Sequence, residues 1–297
     1  MKTVCFLILH YGDPSVTDRC VHSILHLKEG ENVRIIIIDN EVNKAEEERE
    51  KLLTRWNSPK IRVLLNHGTG GFSEANNLGY RFAREEYDPL FIIAANNDIE
   101  FVQKDFILNL YAAYEKKACH VMGPYVRRGS NGEPQNPIDV RLRSEKEAEY
   151  TIWMNRAALR FFPIAYPVLV MQEKAAKKKE LTRKKESYED YKRRREDVVL
   201  FGACLIFTPL FIQAEENAFW PETSFYYEEY LLMLRCISKG YKTVYDPSMK
   251  VLHESGTSTE RRTGSNRKKM RFVMRNTADA CEIYLNEYRR VNNYEKI

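Results

Sequence analysis

The chain has 297 residues, with 43% hydrophobic and 30% charged residues and a formal net charge of +5. That length and apolar content are enough for one large domain or two small ones with a real core. The mild charge argues against a dedicated DNA-binding protein, and no apolar run approaches the roughly 20 residues that a membrane span needs.

The N-terminus has one Lys before a short apolar run and no small-residue cleavage site, so it reads as a first buried strand rather than a signal peptide. The six cysteines (Cys5, Cys20, Cys119, Cys204, Cys236, Cys281) are scattered and form no CxxC pair. A zinc site and a disulfide framework are therefore not expected, and a cytoplasmic setting fits best.

In chain order, Thr3–Leu9 is a continuous apolar run and reads as a strand. Thr17–Lys28 carries Val21, Ile24 and Leu25 at helical spacing. Val33–Ile38 is a β-branched strand ending in Asp39-Asn40, and Lys44–Trp56 is a charged helix. Ile61–Leu65 is a third strand, followed by the turn Gly68-Thr69-Gly70-Gly71. Ser73 suits the N-cap of a helix running to about Glu86. Leu90–Ala95, Lys104–Lys117 and Cys119–Gly123 read as strand, helix and strand. Glu173–Asp197, rich in Lys, Arg and Glu, reads as an exposed inserted helix or helical hairpin. Val198–Phe207 returns to core character. Thr243–Asp246 and Lys250–His253 read as short strands, and Lys268–Arg290 as a final helix.

Apolar strands joined by helical segments imply an α/β fold with a mostly parallel central sheet flanked by helices. Ligands in such sheets sit beyond the carboxyl ends of the strands. The polar groups there are His10-Tyr11, Asp39-Asn40, Asn66-His67 and Asn96-Asn97-Asp98. Asp98 on a strand tip suits Mg²⁺ or Mn²⁺, or closes an Asx turn. Asp39 could accept a hydrogen bond from a base or ribose, or close a turn. The glycine turn fits neither GxGxxG after the first strand nor GxxxxGK[ST], which disfavours a dinucleotide oxidoreductase and a P-loop enzyme. Glu228-Glu229 open a helix-like stretch, where they complement the helix dipole or supply a general base. His253 is a structural or a metal-binding imidazole. Arg261, Arg262, Arg267, Lys268 and Lys269 lie on a polar stretch that could close over a diphosphate or stay solvated. Lys174–Arg195 could meet anionic headgroups, or form a salt-bridged solvated helix.

Taken in order, these segments resemble the family 2 glycosyltransferases. The resemblance rests on His10-Tyr11-Gly12, Ile35–Asn40, the run Asn66–Gly79, and Asn96-Asn97-Asp98 after Phe91–Ala95. It continues through Gly202-Ala203-Cys204, Phe225–Glu229 with Arg235, and Val251-Leu252-His253. It implies a single GT-A domain over 1–297. Residues 1–123 would form the nucleotide-sugar half. Residues 124–267 would form the acceptor half, with the charged helical insertion at about 172–197, and 268–297 the C-terminal helix. It implies inverting transfer from a dTDP- or UDP-linked sugar to a glycan or lipid-linked acceptor in surface-polysaccharide synthesis. Nucleic acid is not an expected partner, and the enzyme would be cytoplasmic, at most peripheral at the inner membrane face. Carried over by residue, Tyr11, Asp39 and Asn76 would hold the base, and Asn97 would join the donor site. Asp98 and His253 would bind the metal. Glu229 would be the catalytic base, and Glu228 would orient it or bind acceptor. The chain departs from the family's pattern in having one acid in Asn96-Asn97-Asp98, and Glu229 where Asp is usual. A non-catalytic sugar-nucleotide-binding scaffold is the alternative. A sugar-nucleotide pyrophosphorylase would need a Gly, Arg and Lys loop after the first strand, which Tyr11–Asp18 does not supply.

Overall fold

The structure is a computed structural model that describes residues 2–182, 188–254 and 265–294. Arg261 and Arg262, proposed above to close over a diphosphate, lie outside the described residues, as does part of the charged insertion.

The strands are β1 (Val4–His10), β2 (Val33–Asp39), β3 (Ile61–Leu65), β4 (Phe91–Asn96), β5 (Ile99–Glu100), β6 (Val121–Arg128), β7 (Arg195–Glu196), β8 (Cys204–Phe207) and β9 (Thr243–His253). The α-helices are α1 (Pro14–Leu25), α2 (Glu46–Arg55), α3 (Phe72–Tyr87), α4 (Phe106–Lys116), α5 (Glu145–Arg160), α6 (Phe162–Thr182), α7 (Pro209–Ala214), α8 (Glu228–Ser238) and α9 (Asn266–Tyr294).

The sheet runs β3-β2-β1-β4-β8-β6-β9-β5, with β7 also pairing β9. Strands β3, β2, β1 and β4 are mutually parallel. From β4 outward the sheet is mixed: β8 is antiparallel to β4 and β6, while β6 and β9 are parallel. The expected parallel sheet is thus the first half of the molecule. β1 and β2 are apolar on both faces because both are covered. Phe6, Ile8, Ile35 and Ile37 pack on the side of α1 and α4, and Leu7, Ile36 and Ile38 on the side of α3. A third core joins α5, α8 and α9 through Ala148, Leu231, Cys281 and Tyr284. All six cysteines are buried and unpaired.

Three local readings change. The helix after the glycine turn is capped by Gly71, and Ser73 lies inside its first turn with its hydroxyl bonded to Thr223 Oγ1 at 2.8 Å. The two short strands at 243–253 are one strand, with an irregularity against β6 between Pro124 and Tyr125. The charged segment is not one helix. Helix α6 starts well before it, and the segment ends in a 3-10 turn (Tyr188–Lys192) and β7. Three of the described basic side chains there are engaged: Arg194 with Asp246 at 2.9 Å, Lys192 with Glu189 at 2.6 Å and Arg195 with Asp190 at 3.7 Å.

Phe207 sits at the centre of one core face, fully buried and in ring contact with Tyr80, Phe211 and Phe219. Phe207→Ala removes that payload and leaves a cavity. It should destabilise the fold by about 3–5 kcal/mol, measured by urea unfolding.

Candidate active site

Parallel pairing brings the strand tips level. His10 is in register with Asp39, Leu9 with Asn96, and Asp39 with Leu65. The tips are knitted together by side chains. Asn66 donates to Asn40 Oδ1 at 2.8 Å, and Asn40 donates to the Gly70 carbonyl at 2.9 Å. The Gly12 amide donates to Glu41 at 2.6 Å. His10 is buried against Thr17, at 2.7 Å, and Trp56; burial lowers its pKa.

Asp39 is fully buried, and Arg49 Nε donates to its Oδ2 at 2.6 Å. The same guanidinium donates to the Asp39 and Asn66 carbonyls at 3.2 and 2.6 Å. Arg49 is itself only 3% exposed. This buried fork was invisible in the charged stretch of α2, where Arg49 is one of several alternating charges.

The glycine turn folds around Glu74, which accepts from the Thr69 amide and hydroxyl at 2.7 and 2.8 Å. A Cβ at Gly68 would lie 1.8 Å from a Glu74 carboxylate oxygen, so a side chain there would push the Glu74 carboxylate out of its place in the turn. The turn is also stitched to the second half of the chain. The Phe72 amide donates to the Ser224 carbonyl at 2.6 Å. Asn77 donates to the Phe219 carbonyl at 3.1 Å and accepts from its amide at 2.9 Å. Asn77 is thus a clamp between the halves. Its neighbour Asn76 bonds back to the Phe72 carbonyl at 3.0 Å.

Beyond these tips lies a cavity of about 220 Å³, lined by Tyr11, Asn40, Asn97, Gly202, Glu228 and Glu229 with an aromatic wall of Phe72, Phe201, Phe225, Tyr226 and Phe272. Asn97 is fixed by its amide, which donates to the Tyr11 carbonyl at 3.2 Å and Thr17 Oγ1 at 3.0 Å. Of the residues proposed from sequence, Tyr11, Asn97, Glu228 and Glu229 line this cavity. Asp39 and Asn76 do not.

The two glutamates enter the cavity from the start of α8. Tyr226 and Tyr227 both have left-handed backbone, φ 69° and 61°. Two consecutive non-glycine residues in that region cost of order 1–3 kcal/mol each. The Tyr227 ring, between Tyr230 and Tyr284 at 5.3 and 5.6 Å, holds the turn in place. Arg235, one face of the same helix, donates to the Asn217 carbonyl at 2.8 Å and lies 5.4 Å over the Trp220 ring. Glu229 accepts from the Gly202 amide at 3.1 Å. Burial raises the pKa of both glutamates. Burial and the nearby Glu229 charge push Glu228 up to about 8.

Asp98 and His253 are brought together by the β5–β9 pairing, in which Ile99 opposes His253. His253 Nε2 lies 3.3 Å from Asp98 Oδ1, and that buried oxygen has no hydrogen-bond partner. The other ring nitrogen, Nδ1, is 2.8 Å from Gln135 Oε1. With Nδ1–H donated to Gln135, Nε2 presents its lone pair toward Asp98. An orphaned carboxylate oxygen facing a pre-oriented imidazole lone pair is a donor set that fits a divalent cation. Among the described residues, no group of three or more His, Cys, Asp or Glu side chains gathers to hold a metal. The Phe201 ring, 5.6 Å from the His253 ring, links this pair to the cavity. Gln135 carried no sequence signal; its role depends on where the loop after β6 returns.

Removing Arg49 would strand the Asp39 carboxylate in the interior. Arg49→Met should cost about 3–5 kcal/mol in chemical denaturation. Pairing it with Asp39→Asn should recover a large part of that loss.

The glycosyl transferase family 2 model matches residues 5–174. No curated protein sequence matches the chain. Among solved structures, the chain is similar to GalNAc-T7, described with UDP, GalNAc and Mn²⁺. The TM-score is 0.55 at 14% identity, over 84% of this chain and 43% of that one. It is also similar to residues 1–349 of TarS from S. aureus, with TM-score 0.48 at 10% identity, over 82% of this chain and 60% of that one. The chain therefore spans less than two thirds of either solved relative. The family match covers more than half of the sequence and contains the strand tips, the glycine turn and Asn96-Asn97-Asp98, and the fold is that of a GT-A enzyme: the chain belongs to glycosyl transferase family 2.

Proposed function

We propose that the chain is an inverting, metal-assisted glycosyltransferase. It would move a sugar from a dTDP- or UDP-linked donor to a hydroxyl of a glycan or lipid-linked acceptor in surface-polysaccharide synthesis. The observation that carries the reading is a single cavity holding a carboxylate pair, Glu228 and Glu229, and the donor-side strand tips Tyr11 and Asn97. The Asp98–His253 pair lies beside it. The GT-A relative described with UDP and Mn²⁺ supports the donor and metal classes.

In this reading the base of the donor meets Tyr11 and the polar network of Asn40, Asp39 and Arg49. Asp39 acts there mainly through Arg49 and its hydrogen bond from the Glu41 amide, at 3.2 Å. Asn76 shapes the same region through the turn of α3. Asp98 and His253 would hold Mg²⁺ or Mn²⁺, which would supply charge neutralisation for the departing diphosphate. Asn97 orients the strand tip toward the donor.

Glu229 takes the proton from the acceptor hydroxyl. The new bond forms between that oxygen and the anomeric carbon as the bond to phosphate breaks on the opposite face. The nucleoside diphosphate leaves with the electron pair, and configuration inverts. Glu229 is assigned as base because the Gly202 amide bonds its charged form. Glu228, whose pKa is raised by burial and by the neighbouring Glu229 charge, can donate a hydrogen bond to the acceptor when protonated.

Glu229→Gln should lower transfer by about 10²–10⁴-fold with the donor still bound. The wild-type rate should fall with acid at a pH above the ordinary glutamate range, because burial raises the Glu229 pKa. A pH–rate profile checks both, and undiminished turnover in the variant would remove Glu229 from this role.

Glu228 also carries a stability signature. Its folded pKa is raised from 4.5 to about 8, so the folded state holds its proton more tightly than the unfolded state. Stability should therefore fall as pH rises through that window. Glu228→Gln should flatten this loss and raise the Tm above pH 8, while transfer declines.

Gln135→Leu should weaken Mn²⁺ binding about 10–100-fold in the presence of donor nucleotide, read by thermal shift. Asp98→Ala should abolish that Mn²⁺-dependent shift. A shift unchanged by Asp98→Ala would remove the metal site from this position.

A further inference from the structure

Helices α5 and α6 behave as one kinked rod. Only Phe161 separates them, and helical bonding continues through it: Phe161 N–H donates to the Ala157 carbonyl at 3.0 Å, and Ala165 N–H to the Phe161 carbonyl at 2.9 Å. Along this rod, Tyr150, Trp153, Phe161, Ile164, Val168 and Met171 are all exposed, by between 54% and 78%. Successive members are three or four residues apart, with Ala157 filling the interval between Trp153 and Phe161. That spacing puts them on one face. The opposite face packs inward: Ala148 and Phe162 are fully buried. An apolar strip of this length and exposure is not a random scatter of surface hydrophobics.

Charge decides what covers it. There is no acidic residue from Tyr150 to Gln172, and none from Asn266 to Ala278 at the start of α9. Arg160 and Lys174 are exposed on the rod, as are Arg267, Lys268, Arg271 and Arg275 on α9. α9 lies beside the rod, with Arg271 at 4.5 Å over the Phe162 ring. Two copies of the strip laid face to face would bring cations toward cations. Anionic headgroups above an apolar layer match both parts. No described helix is long and apolar enough to cross a membrane, so the rod would lie in the interface.

We infer that the exposed face of α5–α6, rimmed by the basic start of α9, is a docking surface for an anionic lipid bilayer. The surface adjoins the catalytic cavity, since Phe272 lines that cavity next to Arg271. The inference deepens the proposed transfer to a lipid-linked acceptor: the surface would bring the cavity to the membrane where such an acceptor resides. It places lipid contact on the apolar rod rather than on the later part of the Lys174–Arg195 run, where Lys192, Arg194 and Arg195 are paired within the chain.

Flotation of the full chain with phosphatidylcholine vesicles, with and without phosphatidylglycerol, tests this. The wild type should float with the anionic vesicles, with a blue shift in tryptophan emission that Trp153→Phe removes. Ile164→Asp with Val168→Asp, two exposed positions outside the core, should lower the bound fraction by about tenfold or more while hydrolysis of donor in solution is unchanged. Failure of the wild type to float, or equal flotation of the double variant, would overturn the inference. So would a wild-type dimer in solution that the double variant makes monomeric, since the strip would then be covered by a second copy. Flotation without glycosyl transfer would count against the proposed function alone, and transfer to a soluble acceptor without flotation against the docking surface alone.

Discussion

Strand β8 runs antiparallel between β4 and β6, and its backbone bonds hold the two halves of the sheet in one register. Ile93 opposes Ile206, and Ala95 opposes Cys204. One residue further, the Asn96 amide donates to the Ala203 carbonyl at 3.0 Å. This places Gly202 beside Asn97, and Gly202 in turn fixes Glu229 through its amide. The cavity therefore depends on a strand pairing between residues remote in sequence. A one-residue slip of β8 would turn its buried side chains to the wrong face and separate the strand tips from the glutamates.

Polar stitching around that pairing does the work of a rigid frame. Asn77, Ser73 and the Phe72 amide reach across to residues 219–224, and Arg235 holds the loop before them. These bonds are largely buried, where each unmade bond costs more than a made one contributes. The segment they secure leads into the left-handed Tyr226-Tyr227 turn. Strain at that turn is tolerated because an aromatic cluster and an anchored loop over-determine it, and its consequence is two acids in an apolar cavity. Their raised proton affinity has the same origin, burial beside phenylalanine and tyrosine rings, to which the Glu229 charge adds for Glu228.

The surface at α5–α6 is a second outcome of packing. Mixed apolar and charged residues there do not identify an exposed face until α9 is known to cover the opposite one. Sequence reading left the conspicuous run of lysines and arginines open between headgroup contact and a salt-bridged solvated helix. Part of that run proves to be self-neutralised, and the apolar face stands earlier in the chain. Ser144 and Glu147, which form a capping box at the start of α5, were the available signal for this helix.

Sequence by itself determined much of the first half of the chain. Apolar runs such as Ile35–Ile38 are long enough to demand burial on both faces, and parallel strands covered by helices must end at one edge. The tips His10-Tyr11, Asp39-Asn40 and Asn96-Asn97-Asp98 were therefore legible as a cluster, and the order of motifs made the family legible too. Tertiary structure alone decided the rest. Asp39 reads as a ligand for a base or ribose or as a turn acid until Arg49 is found against it, because nothing in the spacing of a charged helix marks the one guanidinium that turns inward. Asp98 meets His253 only because β5 pairs with β9, and Gln135 orients the imidazole only because the β6 loop returns there. Pairing between strands far apart in the chain is not encoded by local periodicity. It is settled by which registers bury every apolar face at once.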